Sequence, residues 1–342
     1  MFITSNLRVQ KSPLLKRIFS RIRVRPTMKY LMCISLIFLL FSSTSALASV
    51  SLEQVLRLTK NYGYRSSQVD WPKTEREARL VYASQGEDAA INTVLAALGD
   101  PHTRYDPLNQ TEGMPKFPST QTSAPIAELF SHLSDYPLLQ INRWSGSNAN
   151  QAASLVRSTL EQARSVESCG IILDFTQNSG GNMWPMLVGL APLLTDGKLG
   201  SFKTAAGKVK LIEKRDGQIM FDGAAHALNA SVQSANLTNP SYIAILIGPE
   251  SASSGEITPL MFYGQPNVRF FGKQSAGFTS ANTVYSLPNG GQLVLTTSMS
   301  LNRNDEAFTS GIAPDELSDQ PFQAASRWLK IECSGIFRSV QN

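Results

Sequence analysis

The sequence predicts an α/β protein in which parallel strands alternate with helices. Two continuous apolar runs, residues 171–175 and 242–247, have the length and composition of strands that are buried on both faces of a sheet. Each run is followed by a turn of small residues and then by apolar residues at helical spacing, as in strand–turn–helix units. The chain has 342 residues, of which 42% are hydrophobic, so it is long enough for one large core and a small additional domain.

The first 48 residues are predicted to be an export signal. They hold eight of the 31 basic residues and no acidic residue, and an apolar stretch over 31–41 precedes an Ala-Leu-Ala cleavage pattern at 46–48. An apolar stretch of this length is short for a membrane span. Met28 is an alternative start, and an uncleaved anchor is the alternative to cleavage. We therefore expect an exported protein that is periplasmic or secreted, or membrane-anchored if the leader is retained.

The body of the chain is nearly neutral. From Ser49 onward 23 basic residues stand against 26 acidic ones, so the charge gives no argument for nucleic acid. Cys169 and Cys333 are either joined in one disulfide or are two separate buried thiols. The cysteine and histidine spacing matches no metal site, and we expect neither a metal nor another cofactor.

The elements follow in order along four segments after the leader. Residues 49–107 form a predicted helical lobe, 108–124 a loop or linker, 125–324 the main core and 325–342 a helical tail. Helices are predicted at 50–62, 74–82, 87–98, 126–133, 150–166 and 183–194. Strands are predicted at 136–144, 171–175, 242–247 and 268–272, with hairpins at 209–221 and 283–299.

A serine-rich turn after the strand at 242–247 is the first candidate site. The spacing Ser251-x-Ser253-x-Gly255 is close to a nucleophile elbow, which exposes a serine hydroxyl between a strand and a helix. The ordinary alternative is a helix N-cap, because serines before Glu256 are common capping residues. A turn with Gly180 and Gly181 follows the other buried strand, at the same edge of the sheet.

His102 is the candidate base, because a serine nucleophile needs a group that titrates near neutrality. It lies in a turn two residues after Asp100. An aspartate before a proline in a turn is more typical of turn chemistry than of a residue that orients a catalytic histidine. Of the other two histidines, His132 is predicted to be a surface or packing residue, and His226 has no evident partner.

Four motifs in order resemble the S41 peptidases, the tail-specific or C-terminal processing proteases. They are Gly-Asp-Pro-His-Thr at 99–103, Leu-Asp-Phe-Thr-Gln-Asn-Ser-Gly-Gly at 173–181, Ser-Ala-Ser-Ser-Gly-Glu at 251–256 and Gly-Ile-Ala-Pro-Asp at 311–315. The resemblance covers roughly residues 90–320. It implies a ClpP/crotonase-like α/β core and a peptide or unfolded protein as substrate.

By the same resemblance Ser253 is the nucleophile, and the backbone N–H groups of Gly181 and Ser254 form the oxyanion hole. The segment Asn182, Met183 and Trp184 is expected to line the substrate groove. The family's best-known branch uses a lysine about 25 residues after the serine, where this chain has Phe278.

In the family's best-known branch a PDZ domain follows the Asp-Pro-His segment. Here only 66 residues separate His102 from Cys169, and a predicted loop, strand and helix fill them, which leaves no room for a PDZ domain. The absence of a lysine at position 278 and the absence of room for a PDZ domain both favour the PDZ-less Ser–His branch. This branch includes tricorn-like peptidases and the nisin resistance protein. We therefore expect a serine endopeptidase that uses His102 as its base. Three alternatives remain open: a Ser–Lys peptidase using Lys273, a non-catalytic binding protein on the same fold, and a hydrolase of non-peptide esters.

Overall fold

The computed structural model describes residues 50–108, 125–131, 135–166, 168–230 and 239–339, with side chains as far as Ser334. The predicted leader, nearly all of the predicted linker and His132 lie outside these residues. Helices span 50–62 (α1), Trp71–Gln85 (α2), Glu87–Leu98 (α3), Ala149–Ser165 (α4), Met183–Leu190 (α5), Ser254–Leu260 (α6) and Pro321–Ser339 (α7). No helix in the described part of the chain is both long and apolar enough to cross a membrane.

A six-stranded sheet forms the centre of the core, in the order β13-β10-β9-β4-β3-β2. Its strands are Ala127–Phe130 (β2), Leu138–Ile141 (β3), Gly170–Asp174 (β4), Tyr242–Ile247 (β9), Val268–Gly272 (β10) and Glu316–Leu317 (β13). All neighbours pair in parallel except β2, which runs antiparallel to β3 at one edge. The helix predicted over 126–133 is therefore wrong, because part of this short apolar stretch pairs with β3 as an edge strand.

Both faces of this sheet are buried, which explains the continuous apolar strands. Ile171 and Leu173 of β4 point to one face and pack in a core with α4 and α5. Ile172, between them, points to the other face and packs against Leu329 of α7. Side chains alternate along a strand, so a strand that is covered on both sides must be apolar at every position.

A disulfide between Cys169 and Cys333 joins α7 to the residue before β4. Of the two states that the sequence left open for these cysteines, the structure has the bonded one. The disulfide closes a sequence separation of 164 residues and so crosslinks the core to the end of the chain.

A second sheet has the order β1-β12-β5-β6-β7-β8, with β11 also paired to β12. Its strands are Arg104–Asp106 (β1), Gly197–Thr204 (β5), Val209–Arg215 (β6), Gln218–Phe221 (β7), Ala224–Ala225 (β8), Ser280–Ser286 (β11) and Gln292–Asn302 (β12). The hairpins β6–β7 and β11–β12 confirm the two predicted hairpins. The N-terminal helices pack on this sheet, where Val55 and Val94 share a core with Leu293 and Leu295.

Candidate active site

The turn after β9 is fastened to the neighbouring strand β4 by Ser251. The Ser251 hydroxyl accepts a hydrogen bond from the Gly248 N–H at 3.0 Å and donates one to the Phe175 carbonyl at 2.8 Å. Its side chain is completely buried. Ser251 therefore holds the two strand ends together, and its hydroxyl is not presented to solvent.

Ser253 follows in a backbone conformation that L-residues rarely adopt, with φ +54° and ψ −120°. The other non-glycine residues with positive φ in the described part of the chain are three aspartates, a residue type that tolerates this region. Such strain is retained where the surrounding structure enforces it, which often occurs at functional sites. The conformation places Ser253 at the start of α6 and on the wall of a cavity of about 710 Å³.

The glycine turn after β4 lies against this serine. A Cβ atom added to Gly180 would lie 2.8 Å from the Ser253 Cβ atom, and one added to Gly181 would lie 2.0 Å from the Trp144 carbonyl oxygen. Both glycines also have positive φ, +108° and +110°. Only glycine fits at these two positions, because both have positive φ and the backbone closely approaches the serine turn at Gly180 and Trp144 at Gly181.

Two backbone N–H groups are available beside Ser253. Those of Gly181 and Ser254 donate no hydrogen bond to any residue that the structure describes, although their neighbours Gly180 and Asn182 do. The Ser254 hydroxyl donates to the Gly181 carbonyl at 2.6 Å and so links the two turns. The two N–H groups predicted to form the oxyanion hole thus belong to adjacent segments of the cavity wall.

Glu256 anchors the loop that follows β10. Its buried carboxylate accepts hydrogen bonds from the backbone N–H groups of Ser253, Gly277 and Phe278 and from the Ser275 hydroxyl. Burial raises the pKa of Glu256, and the four donors act in the opposite direction. Glu256 therefore fixes the position of the loop that carries Phe278.

His102 lies on the same cavity wall as Ser253. Its Nδ1 atom is 2.8 Å from the hydroxyl oxygen of Ser280, and its ring lies 5.3 Å from the ring of Phe278. Asp100 accepts a hydrogen bond from the backbone N–H of His102, which is the turn chemistry expected from the sequence.

Burial lowers the pKa of His102 to about 4, and the nearby positive charge of Arg104 acts in the same direction. The negative charge of Asp100 acts in the opposite direction and is outweighed. The ring is therefore neutral at pH 7 and able to accept a proton.

The cavity wall beyond the glycine turn contains Asn182, Met183 and Trp184, the three residues predicted to line the groove. The Asn182 side chain accepts the N–H of Trp184 and so caps α5. Trp184 stacks on the ring of His226 at 4.1 Å between centroids and meets Phe221 edge-on at 5.1 Å. His226 therefore has an aromatic partner that the sequence did not reveal.

Lys273, the alternative base, lies elsewhere. It is exposed, it forms an ion pair with Asp319 at 2.6 Å, and it does not line the cavity. Within the described ranges, no group of three His, Cys, Asp or Glu side chains is arranged to hold a metal ion.

Sequence reasoning did not identify Ser280 or the cationic residues of the cavity, Arg104, Arg143 and Lys210. These residues come from separate segments, and no local motif marks them.

Comparisons with known proteins show a family match, a related sequence and related folds. The model of peptidase family S41 matches residues 135–318. The nisin-resistance protein of Lactococcus lactis subsp. lactis is 33% identical over 200 residues, which are 57% of this chain and 60% of that protein. The chain thus matches less than two thirds of this relative's length.

Two solved structures share the fold. A lipoprotein from Streptococcus agalactiae superimposes with a TM-score of 0.68 at 24% identity, covering 82% of this chain and 96% of that chain. The photosystem II D1 C-terminal processing protease gives a TM-score of 0.52 at 14% identity, with the same coverage. They confirm the predicted α/β core with an N-terminal helical region.

Proposed function

The chain belongs to peptidase family S41, and on this premise we propose that it is a serine peptidase that hydrolyses unstructured peptides or protein tails. The observation that carries the proposal is the strained backbone of Ser253 on a cavity shared with His102 and with the N–H groups of Gly181 and Ser254. A hydroxyl, a neutral imidazole and two available N–H donors are the groups that acyl transfer requires.

In the proposed reaction, Ser253 attacks the peptide carbonyl carbon while His102 takes the hydroxyl proton. The negative oxygen of the tetrahedral intermediate is held by the N–H groups of Gly181 and Ser254. His102 then gives its proton to the leaving amine as the C–N bond breaks, and an acyl-enzyme remains. Water, deprotonated by His102, hydrolyses this ester and regenerates both side chains.

Ser280 is the proposed orienting partner of His102. If Nδ1–H donates to the Ser280 hydroxyl oxygen over the observed 2.8 Å, the lone pair resides on Nε2, the nitrogen that would serve Ser253. Ser280 is itself 8% exposed, so water competes weakly for this contact. Glu256 is assigned a structural role, since its carboxylate is already occupied by four donors.

We also propose that the protein acts after export. The Cys169–Cys333 disulfide is typical of proteins in oxidising compartments, such as the bacterial periplasm or the extracellular space. This agrees with the leader that the sequence predicts over 1–48. Mass spectrometry of the mature N-terminus tests the leader, and a first residue near Ser49 is the expected result.

The test of the activity is hydrolysis of quenched-fluorescent unstructured peptides by four proteins: wild type, Ser253→Ala, His102→Gln and Lys273→Ala. We expect the first two variants to lose at least about a thousandfold in kcat/KM, as when a nucleophile or its base is removed. Lys273→Ala is the matched control outside the cavity. Full activity in His102→Gln with loss in Lys273→Ala would reverse the assignment of the base.

Covalent labelling separates the peptidase from a binding protein on the same fold. A fluorophosphonate probe should label the wild type, and peptide mapping should locate the label on Ser253 rather than on Ser251 or Ser254. Because a serine site does not select its acyl group, the same proteins are assayed on matched ester substrates. Absence of labelling together with absence of peptide hydrolysis would contradict the enzyme proposal.

A further inference from the structure

The charged side chains that line the cavity are all cationic in the described part of the chain. They are Arg104 near His102, Arg143 near Arg104, and Lys210 on strand β6. Neither an aspartate nor a glutamate lines the cavity among the described residues. A cleft of one sign concentrates ligands of the opposite sign, because its low-dielectric walls focus the electrostatic potential.

Among the described residues, nearby carboxylates compensate the charges of Arg104 and Lys210 only in part. Arg104 forms an ion pair with Asp106 at 3.1 Å, in which both side chains are about two fifths exposed. The Lys210 ammonium lies 5.6 Å from the ring centre of Phe221 and forms no ion pair with a carboxylate that the structure describes. Burial and the charge of Arg104 both lower the pKa of Arg143, so the two guanidinium groups influence each other.

The two cationic regions lie at different parts of the cavity. Arg104 is two residues from His102, which in the proposed reaction protonates the leaving amine. Groups beside His102 therefore face the leaving side of the peptide. Lys210 lies at the aromatic wall formed by Trp184 and Phe221, where a bound side chain would contact both an apolar surface and a positive charge.

We propose that the cleft selects anionic peptides, in which carboxylates near the scissile bond pair with Arg104 and Lys210. This inference rests on the proposed function and specifies its substrate class. The carboxylates belong either to acidic side chains or to a free C-terminus, since both present the same group. Peptides with several lysines or arginines near the scissile bond are correspondingly poor substrates, because the described residues of the cleft offer them no carboxylate partner.

The test compares quenched-fluorescent peptides of one length that carry Glu, Gln or Lys at the positions flanking a common cleavage site. Each is made with a free and with an amidated C-terminus. We expect kcat/KM to fall from Glu to Gln to Lys, by about tenfold overall at low salt, and this range to shrink in 0.5 M NaCl. A dependence on the free C-terminus alone identifies the terminal carboxylate as the recognised group, and dependence on Glu identifies the side chains.

Variants that remove one positive charge test whether the preference for Glu over Lys arises from the cavity. Lys210→Gln and Arg104→Gln should each reduce the Glu-to-Lys ratio of kcat/KM by about threefold or more, as expected for loss of one charge pair. Lys208→Gln, in the turn between β5 and β6 and not on the cavity wall, is the matched control and should leave the ratio unchanged. The inference is overturned if the wild type shows a Glu-to-Lys ratio between one half and two and the same kcat/KM for free and amidated C-termini, or if the ratio favours Lys.

Binding separates this inference from the proposed activity. Fluorescein-labelled versions of the same peptides are titrated into the Ser253→Ala protein and followed by fluorescence anisotropy. If no peptide is hydrolysed by the wild type while the Glu peptide binds most tightly, the anionic preference stands and the peptidase proposal fails. If all peptides are hydrolysed and bound equally, the preference fails and the peptidase proposal stands.

Discussion

Lowering the pH from 7 to 5 should leave the His102 ring neutral, whereas an ordinary histidine would be almost fully protonated at pH 5. Burial lowers the pKa of His102 from 6.5 to about 4, and Arg104 adds to this effect. With a pKa of about 4, roughly one ring in ten carries a proton at pH 5, against more than about nine in ten for an unperturbed histidine. The proposed base therefore stays competent in mild acid.

The same shift predicts how stability depends on pH. In the unfolded chain His102 binds a proton near pH 6.5, whereas in the folded protein it does so only near pH 4. The unfolded state therefore gains protons first as the pH falls, and the folded state loses stability between about pH 6.5 and 4. A pKa difference of about 2.5 corresponds to about 3 kcal/mol of unfolding free energy. The His102→Gln variant should not show this loss of stability as the pH falls.

Two assays check this prediction. Because the chain has three histidines, the ring signals in a two-dimensional NMR titration can be assigned by comparing wild type with His102→Gln. The acid limb of kcat/KM against pH reports the free enzyme's essential base and should have its midpoint near pH 4. An NMR midpoint near 6.5 would refute the effect of burial. A midpoint near 4 by NMR with an activity limb near 6.5 would refute His102 as the base.

Three further changes test other parts of the structure. Glu256→Gln should lower the free energy of unfolding by about 2 kcal/mol in urea titrations. In either orientation the NH2 group of the new amide would face a backbone N–H donor. Unchanged stability would contradict the four-donor arrangement. Replacing Cys169 and Cys333 together by serine should lower the free energy of unfolding by about 2–5 kcal/mol, since the crosslink closes a long loop. If reductant does not change the urea titration of the wild type, the disulfide does not contribute to stability. Lys273→Ala should keep kcat/KM within about twofold, because its ion pair is exposed and lies outside the cavity wall; a hundredfold loss would point to a Ser–Lys enzyme.

The sequence predicted best those elements whose signal is local. The bounds predicted for β9, β10 and α3 agree with the structure, because turn or polar residues at their ends interrupt clear apolar patterns. The helix prediction at 126–133 was wrong because a short amphipathic stretch suits either a helix or an edge strand. Pairing with β3 decides between them. Strand β5 was missed, since Gly197–Thr204 contains two glycines and two lysines and is recruited by its neighbours β6 and β12.

By itself the sequence determined the α/β class, the glycine turn and the serine turn, because each depends on residues adjacent in the chain. Only the tertiary structure brought the Ser280 hydroxyl to His102 across 178 residues and gave Glu256 its four donors. The cationic cleft likewise combines Arg104 and Lys210 from distant strands of the second sheet. Such contacts arise from long-range packing of strands and loops, which leaves no periodicity in the chain.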